Sequence, residues 1–277
     1  MNDIKDKLKG ALYAAALGDA MGATTELMNE DEIKEKYGVV DDLIGGGWLC
    51  LKAGKVTDDT KMSLCIMRVL MKIGIEKLKN IDLNVFKKEV ADEFLKWFDT
   101  NPKDIGKQCK NALSFYKRTN KYIEVDDSAL GNGSLMRALP CALLNTENSY
   151  ALNVAQGEIT HNNKVCSDIL IEYTDIIKNN IFSKDTKLEK RKLLKPSGYI
   201  VNTFNNAIYF ASKKTFRECI LSSVNHGGDA DTISSIASSI CASRVGFSVI
   251  DKKWIDKLDV DVKKVLDKFL EFVLKTY

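Results

Sequence analysis

The sequence predicts an all-α fold, and three observations lead there. Apolar residues recur at spacings of three and four, as in Leu64, Met67, Val69, Leu70 and Ile73, in Val90, Phe94, Leu95 and Phe98, and in the tail from Val262, Val265 and Leu266 to Phe269, Phe272 and Val273. That period buries one stripe of a helix. Prolines, which would forbid helix, number only three, at Pro102, Pro140 and Pro196. Alternating, strand-like stretches are scarce: the run from Val39-Val40 to Trp48 and Tyr199 to Val201 are short and ambiguous. No linker interrupts the pattern, so residues 1–277 read as one helical domain with long loops.

Composition narrows the function classes. Hydrophobic residues make up 45% of the chain and charged ones 29%, enough for a sizeable core beneath a polar surface. A net charge of +3, with basic residues spread along the chain, gives no footprint for general nucleic-acid binding. The charged start Met1-Asn2-Asp3-Ile4-Lys5-Asp6-Lys7 leads into no apolar run of signal-peptide type, and no stretch reaches the roughly 20 apolar residues that span a bilayer. Seven cysteines, none spaced C-x-x-C, read as reduced thiols; Cys65, Cys141 and Cys241 sit among apolar or small residues. The expectation is a cytoplasmic monomer that engages no membrane. A basic run from Ser183 to Lys195, with Lys184, Lys187, Lys190, Arg191, Lys192 and Lys195, reads as a solvated helix or loop.

Five segments exceed what folding alone requires. Gly18-Asp19-Ala20-Met21-Gly22-Ala23-Thr24-Thr25-Glu26 follows a run of small residues that lets helices approach closely, yet Asp19 within it needs a polar partner if buried. Val56-Thr57-Asp58-Asp59-Thr60 opens a helix; one cap explains a threonine or an aspartate there, but not two of each. Asn225-His226-Gly227-Gly228-Asp229-Ala230-Asp231-Thr232 opens another helix, with paired glycines and two carboxylates that can aim at one point. Gly131-Asn132-Gly133-Ser134-Leu135-Met136-Arg137 has the form of an anion cradle at a helix start, although it is neither a Rossmann fingerprint nor a Walker A loop. Thr160-His161 offers a lone imidazole that could meet a phosphate or stack on a base.

The ligand chemistry is decided by elimination. With two histidines in the chain and no clustered cysteines, zinc lacks its usual donors. Hard oxygen is abundant instead: Asp58, Asp59, Asp229 and Asp231, with the hydroxyls of Thr57 and Thr232. Such donors suit Mg²⁺ or Mn²⁺, and carboxylates brought together would repel without cations. If the two acidic motifs meet, a two-metal centre follows naturally.

In this order, from about Gly10 to about Gly246, the motifs resemble those of the ADP-ribosylglycohydrolase family, most closely the dinitrogenase reductase-activating glycohydrolase branch. The stretch Ser197-Gly198-Tyr199-Ile200-Val201-Asn202-Thr203 adds to the likeness, while His226 departs from the apolar residue frequent in that branch. The resemblance implies a single orthogonal all-α domain around two Mg²⁺ or Mn²⁺ ions. Thr57, Asp58 and Asp59 would supply ligands from one side, and Asp229, Asp231 and Thr232 from the other. Glu26 would sit near the metals and position ligand or water; Gly131, Asn132, Gly133 and Ser134 would surround a diphosphate, and His161 the nucleotide side.

The implied reaction is removal of ADP-ribose from a protein or small-molecule target, with an arginine linkage suggested by the branch. Hydrolysis at the distal ribose passes through an oxocarbenium-like state. Asp58, Asp59 or Asp229 could take the proton of the attacking water, and Asp127 could contact the leaving group. Two alternatives use the same residues: a catalytically inactive ADP-ribose-binding protein, and a metal-dependent nucleotide phosphohydrolase.

Overall fold

The computed structural model describes residues 2–183 and 188–277. In chain order the helices are α1 (Asn2–Gly22), α2 (Glu30–Tyr37), α3 (Asp58–Ile73), α4 (Ile75–Leu78), α5 (Leu83–Phe98), α6 (Lys107–Thr119) and α7 (Leu139–Ala142). They continue with α8 (Ser149–Glu158), α9 (Lys164–Phe182), α10 (Ile200–Ala211), α11 (Phe216–Val224), α12 (Ala230–Val245), α13 (Lys252–Lys257) and α14 (Val260–Val273). The all-α expectation holds. Among the described residues the ambiguous runs contribute only isolated bridges, Gly46 with Leu51 and Gly131 with Tyr199. None of the described helices is long and apolar enough to cross a membrane.

The centre of the molecule is the pair α1 and α12. Helix α12 is buried along nearly its whole length, from Ala230 to Ser243, which explains why its sequence shows small residues all round instead of an apolar stripe. Small residues let α1 come unusually near. A Cβ placed on Gly18 would lie 2.3 Å from the Ser234 carbonyl oxygen, and one on Gly22 would lie 2.5 Å from that of Ala230. The pairings run in opposite directions along the two helices, so the C-terminal end of α1 meets the N-terminal end of α12. This antiparallel register delivers Asp19 and Glu26 to the same end as Asp229 and Asp231.

Helix α3 packs beside α5 and α14; of its period-derived stripe Leu64, Met67, Val69 and Leu70 are buried and Ile73 is partly buried against the core. One contiguous cluster of buried apolar side chains runs from Leu8 to Val273. Cys65, Cys141 and Cys241 belong to it as free thiols, as their sequence neighbours implied. Of the basic run, Lys184 and Lys187 lie outside the described residues; beyond them Leu188–Lys195 forms no regular element, and Arg191 pairs with Glu172 at 2.6 Å and Glu189 at 3.1 Å.

The α1–α12 contact makes a direct prediction. Gly18→Ala drives a methyl into immovable backbone and should lower stability by about 1–3 kcal/mol in urea unfolding. Gly157→Ala meets no backbone, only side-chain atoms, the flexible tip of Leu170 at 2.6 Å and the Ser134 Cβ at 3.3 Å, and should stay within about 1 kcal/mol of the parent chain. Equal effects of the two substitutions would contradict this packing.

Candidate active site

Helix α3 begins at Thr57, whose Oγ1 accepts the Asp59 N–H at 3.3 Å. The other N–H groups of this first turn are taken by carboxylates from elsewhere. Asp19, wholly buried on α1, accepts from Thr57 N at 3.0 Å and Thr60 N at 3.0 Å. Asp104, from the loop before α6, accepts from Asp58 N at 2.9 Å. Thus the partner that Asp19 needed is the start of α3. Because these acids satisfy the helix terminus, the side chains of Asp58 and Asp59 are released from capping and line a cavity.

The opposing wall is the start of α12. Its N-cap residue, Asp229, makes no side-chain capping bond and instead accepts from Asn132 Nδ2, an amide that also donates to Thr203 Oγ1 at 3.0 Å. Thr232 Oγ1 donates to Asp59 Oδ1 at 3.3 Å, joining the two acidic motifs directly. Gly227 and Gly228 both have positive φ, +73° and +65°, and a Cβ on Gly227 would fall 2.0 Å from the Met28 carbonyl oxygen. Gly228 exchanges backbone bonds with the chain after α1: Leu27 N to Gly228 O and Gly228 N to Met28 O, each 2.7 Å. This lock places Glu26 beside Asp229 and Asp231, and the three carboxylates offer oxygens within 4.8 Å of one another.

The resulting cavity holds about 360 Å³, within the range of small-ligand sites. Glu26, Asp58, Asp59, Asp229, Asp231 and Thr232 line one side; Gly131, Asn132, Gly133 and His161 line the other. Asp59 Oδ2 and Asp231 Oδ1 are buried without any hydrogen-bond partner. Two bare carboxylate oxygens in a cluster of acids are costly unless a cation or proton meets them. The donors are all hard oxygen, so the residues fit Mg²⁺ or Mn²⁺.

The electrostatics agree. Burial, reinforced by neighbouring carboxylates, pushes Asp58, Asp59 and Asp231 well above the usual carboxylate range. Burial likewise raises Glu26 to about 7, against the opposing bond from Trp48 and with help from Asp104, Asp229 and Asp19. Asp229 rises to about 6 through burial, partly offset by the Asn132 amide. His161 moves the other way: burial, with the nearby Arg137 charge, lowers it to about 3. It is therefore a neutral ring, with Nδ1 2.8 Å from Thr160 Oγ1. Its edge supports the glycine loop so closely that a Cβ on Gly133 would lie 2.7 Å from Cε1.

Three residues named from sequence lie apart from the cavity wall. Asp127 is exposed on the loop before the glycine turn, Thr57 is wholly buried as the α3 cap, and Ser134 is wholly buried with an unpartnered Oγ. Arg137 is also buried, held by Gln156 and Thr160 under the loop. His226 bonds to Glu30 on α2, at 2.5 Å, outside the cavity. In turn, sequence reasoning missed Asp104, Trp48, Lys103 and Lys107, all on the cavity wall. Trp48 donates from Nε1 to Glu26 Oε2 at 2.6 Å. The only signal for Asp104 was a Pro-Lys-Asp-Ile-Gly turn ahead of α6, which looks like any exposed turn.

Fold and site together define a helical enzyme scaffold with a carboxylate-walled cleft facing a glycine-rich turn. The family model for ADP-ribosylglycohydrolase matches residues 1–181 and 172–276. The ADP-ribosyl-(dinitrogen reductase) glycohydrolase of Rhodospirillum rubrum is 32% identical, over 98% of this chain and 96% of its own. An ADP-ribosylarginine hydrolase, Tri1 of Serratia proteamaculans, is 26% identical over 91% of this chain and 75% of its own. A solved structure described as an ADP-ribosylglycohydrolase-related protein complex superimposes with a TM-score of 0.82 at 22% identity, covering 100% of both chains. The chain belongs to the ADP-ribosylglycohydrolase family, enzymes that hydrolyse glycosidic bonds to ADP-ribose.

The raised carboxylates give a pH prediction with a definite sign. Glu26 and Asp229 hold protons in the folded chain up to about 7 and about 6, but only to about 4 when unfolded. Their contribution is complete below about pH 4 and is lost as pH rises towards 7. With chelator present, the melting temperature should fall across that window; excess Mg²⁺ or Mn²⁺ should suppress the fall, with little effect at pH 4.5. A cation effect of the same size at pH 4.5 and 7.5 would contradict this site.

Proposed function

We propose that this protein is a divalent-cation-dependent hydrolase that releases ADP-ribose from arginine side chains of a modified protein. The observation that carries the reading is the meeting of two acidic helix starts, with Asp59 Oδ2 and Asp231 Oδ1 buried and unpartnered, beside a glycine turn in a chain of this family. The arginine linkage rests on the relatives, one of which is described as an ADP-ribosylarginine hydrolase.

In this scheme Asp58 and Asp59 of α3 and Asp229, Asp231 and Thr232 of α12 would hold a pair of Mg²⁺ or Mn²⁺ ions, and Thr57, expected from sequence as a further ligand, instead caps α3. When bound, such ions supply Lewis acidity towards sugar hydroxyls and a water molecule. The chain's own groups do the rest. The Asn132 N–H is spent on the Gly198 carbonyl at 2.9 Å, so Gly133, which lines the cavity, would offer its N–H to a diphosphate at the head of the turn. Neutral His161 supports that turn and adds no charge. Asn132 Nδ2 orients Asp229.

Glu26, raised to about 7 and fixed by Trp48, is suited to take a proton from water near neutral pH and return it to the departing guanidine. Asp58, Asp59 and Asp229 share the acceptor role among the candidates. Hydrolysis breaks the bond between C1″ and the guanidine nitrogen, water oxygen joins C1″, and one water proton ends on the leaving nitrogen.

Asp231→Asn and Asp229→Asn should each reduce cation-dependent release of ADP-ribose from ADP-ribosylarginine by on the order of 100-fold or more, with helical content unchanged by circular dichroism. Undiminished release in either variant would contradict the scheme. Appearance of AMP or phosphate in place of intact ADP-ribose would assign the site to phosphohydrolysis.

A further inference from the structure

The cavity does not end at Glu26. The same glutamate and Trp48 also line a second, open groove of about 650 Å³ that leads outward between α2 and the glycine turn before Trp48. Its charged groups are Glu26, Glu32, Glu35 and Lys36; Lys36 lies over the Tyr37 ring, 4.9 Å from its centroid. The groove is thus net acidic on a chain whose overall charge is +3. Lys103 and Lys107 border the cavity but not the groove. The lysines that border the site therefore lie on the cavity side, and the groove, Glu26 included, offers three carboxylates against one lysine.

Two further features mark the groove. Trp48 is 49% exposed although its Nε1 is tied to Glu26, so the indole face is held open at the junction. Leu27 has φ +66°, a left-handed conformation that a residue with a Cβ adopts only under strain. Its side chain is nevertheless 70% exposed, beside the backbone bonds that lock Gly228 to this loop. The chain accepts strain and presents leucine to solvent at the lip of an acidic groove.

We infer that this groove is the target side of the active site and receives the arginine-bearing segment of the modified protein, favouring segments with a second basic residue beside the modified arginine. The inference rests on the arginine reading given above. The diphosphate of ADP-ribose belongs at the glycine turn, inside the cavity that Lys103 and Lys107 border. The guanidinium leaving group then points towards Trp48, whose exposed face suits a planar cation. A neighbouring lysine or arginine of the target meets Glu32 and Glu35, and Leu27 and Met28 give its aliphatic stem an apolar rest. Glu26 stands at the junction and belongs to the chemistry, whereas Glu32 and Glu35 only orient the segment.

The test compares free ADP-ribosylarginine with two peptides carrying one ADP-ribosylated arginine, flanked by lysines or by glutamates, at saturating Mg²⁺. The parent chain should show kcat/KM about tenfold higher for the lysine-flanked peptide, with the difference shrinking as salt rises. Glu35→Lys, and its combination with Glu32→Gln, which keeps the α2 capping box, should abolish or reverse that preference. Both should leave kcat/KM on free ADP-ribosylarginine within about twofold. A parent chain that cleaves free ADP-ribosylarginine but ignores the flanks, or variants that lose activity equally on all three substrates, would overturn the groove assignment alone. A parent chain inert on all three would overturn the arginine reading and this inference with it.

Discussion

The close approach of α1 to α12 is the constraint on which the site depends. Glycines at positions 18 and 22 let the two backbones nearly touch, and the antiparallel register makes one end of the pair acidic. Asp19 reaches from this contact to hold the first turn of α3. The Gly227-Gly228 turn ties the chain after α1 to the start of α12. Without that spacing, the starts of α3 and α12 would be ordinary capped helix ends, each satisfied locally and each facing water.

What the fold assembles is electrostatically unfavourable in isolation. Carboxylates from α1, α3, α12 and the loop before α6 share one buried end of the molecule, and several are pushed far from their ordinary ionisation. The N–H groups of α3 account for Asp19 and Asp104, and Asn132 accounts for part of Asp229. They leave Asp59 Oδ2 and Asp231 Oδ1 unanswered. The acids differ in role: Asp19 and Asp104 hold the start of α3, while Asp58, Asp59, Asp229 and Asp231 line the cavity, where the proposed cations would meet them.

Much of this was legible in the sequence because it rests on local pattern. Helical period, scarce prolines and the small-residue composition of α1 and α12 announced an all-α fold. The surplus of aspartates over what capping needs, at Thr57-Asp58-Asp59 and Asp229-Ala230-Asp231, pointed to side chains that the fold brings to one cavity, all but Thr57 and Ala230 lining it. Other features depend on tertiary placement and leave no local trace. Asp104 sits in an unremarkable turn, and Trp48 follows three glycines whose purpose appears only when Ala23 lies against Gly47. Conversely, Asp127 lies four residues before the cavity-lining turn and Ser134 directly after it, but one faces solvent and the other is sealed beneath the turn. Proximity along the chain does not fix direction, which is set by packing.

The central claim, that α3 and α12 jointly create a divalent-cation centre, is most directly tested by titrating the metal-free chain with Mn²⁺ and following the bound ion by electron paramagnetic resonance. The account predicts two Mn²⁺ per chain with a spin-coupled signal, and loss of that signal when either Asp59 or Asp231, on opposite helices, is changed to asparagine. Absence of bound Mn²⁺ in the parent chain, or a signal unaffected by both substitutions, would contradict it.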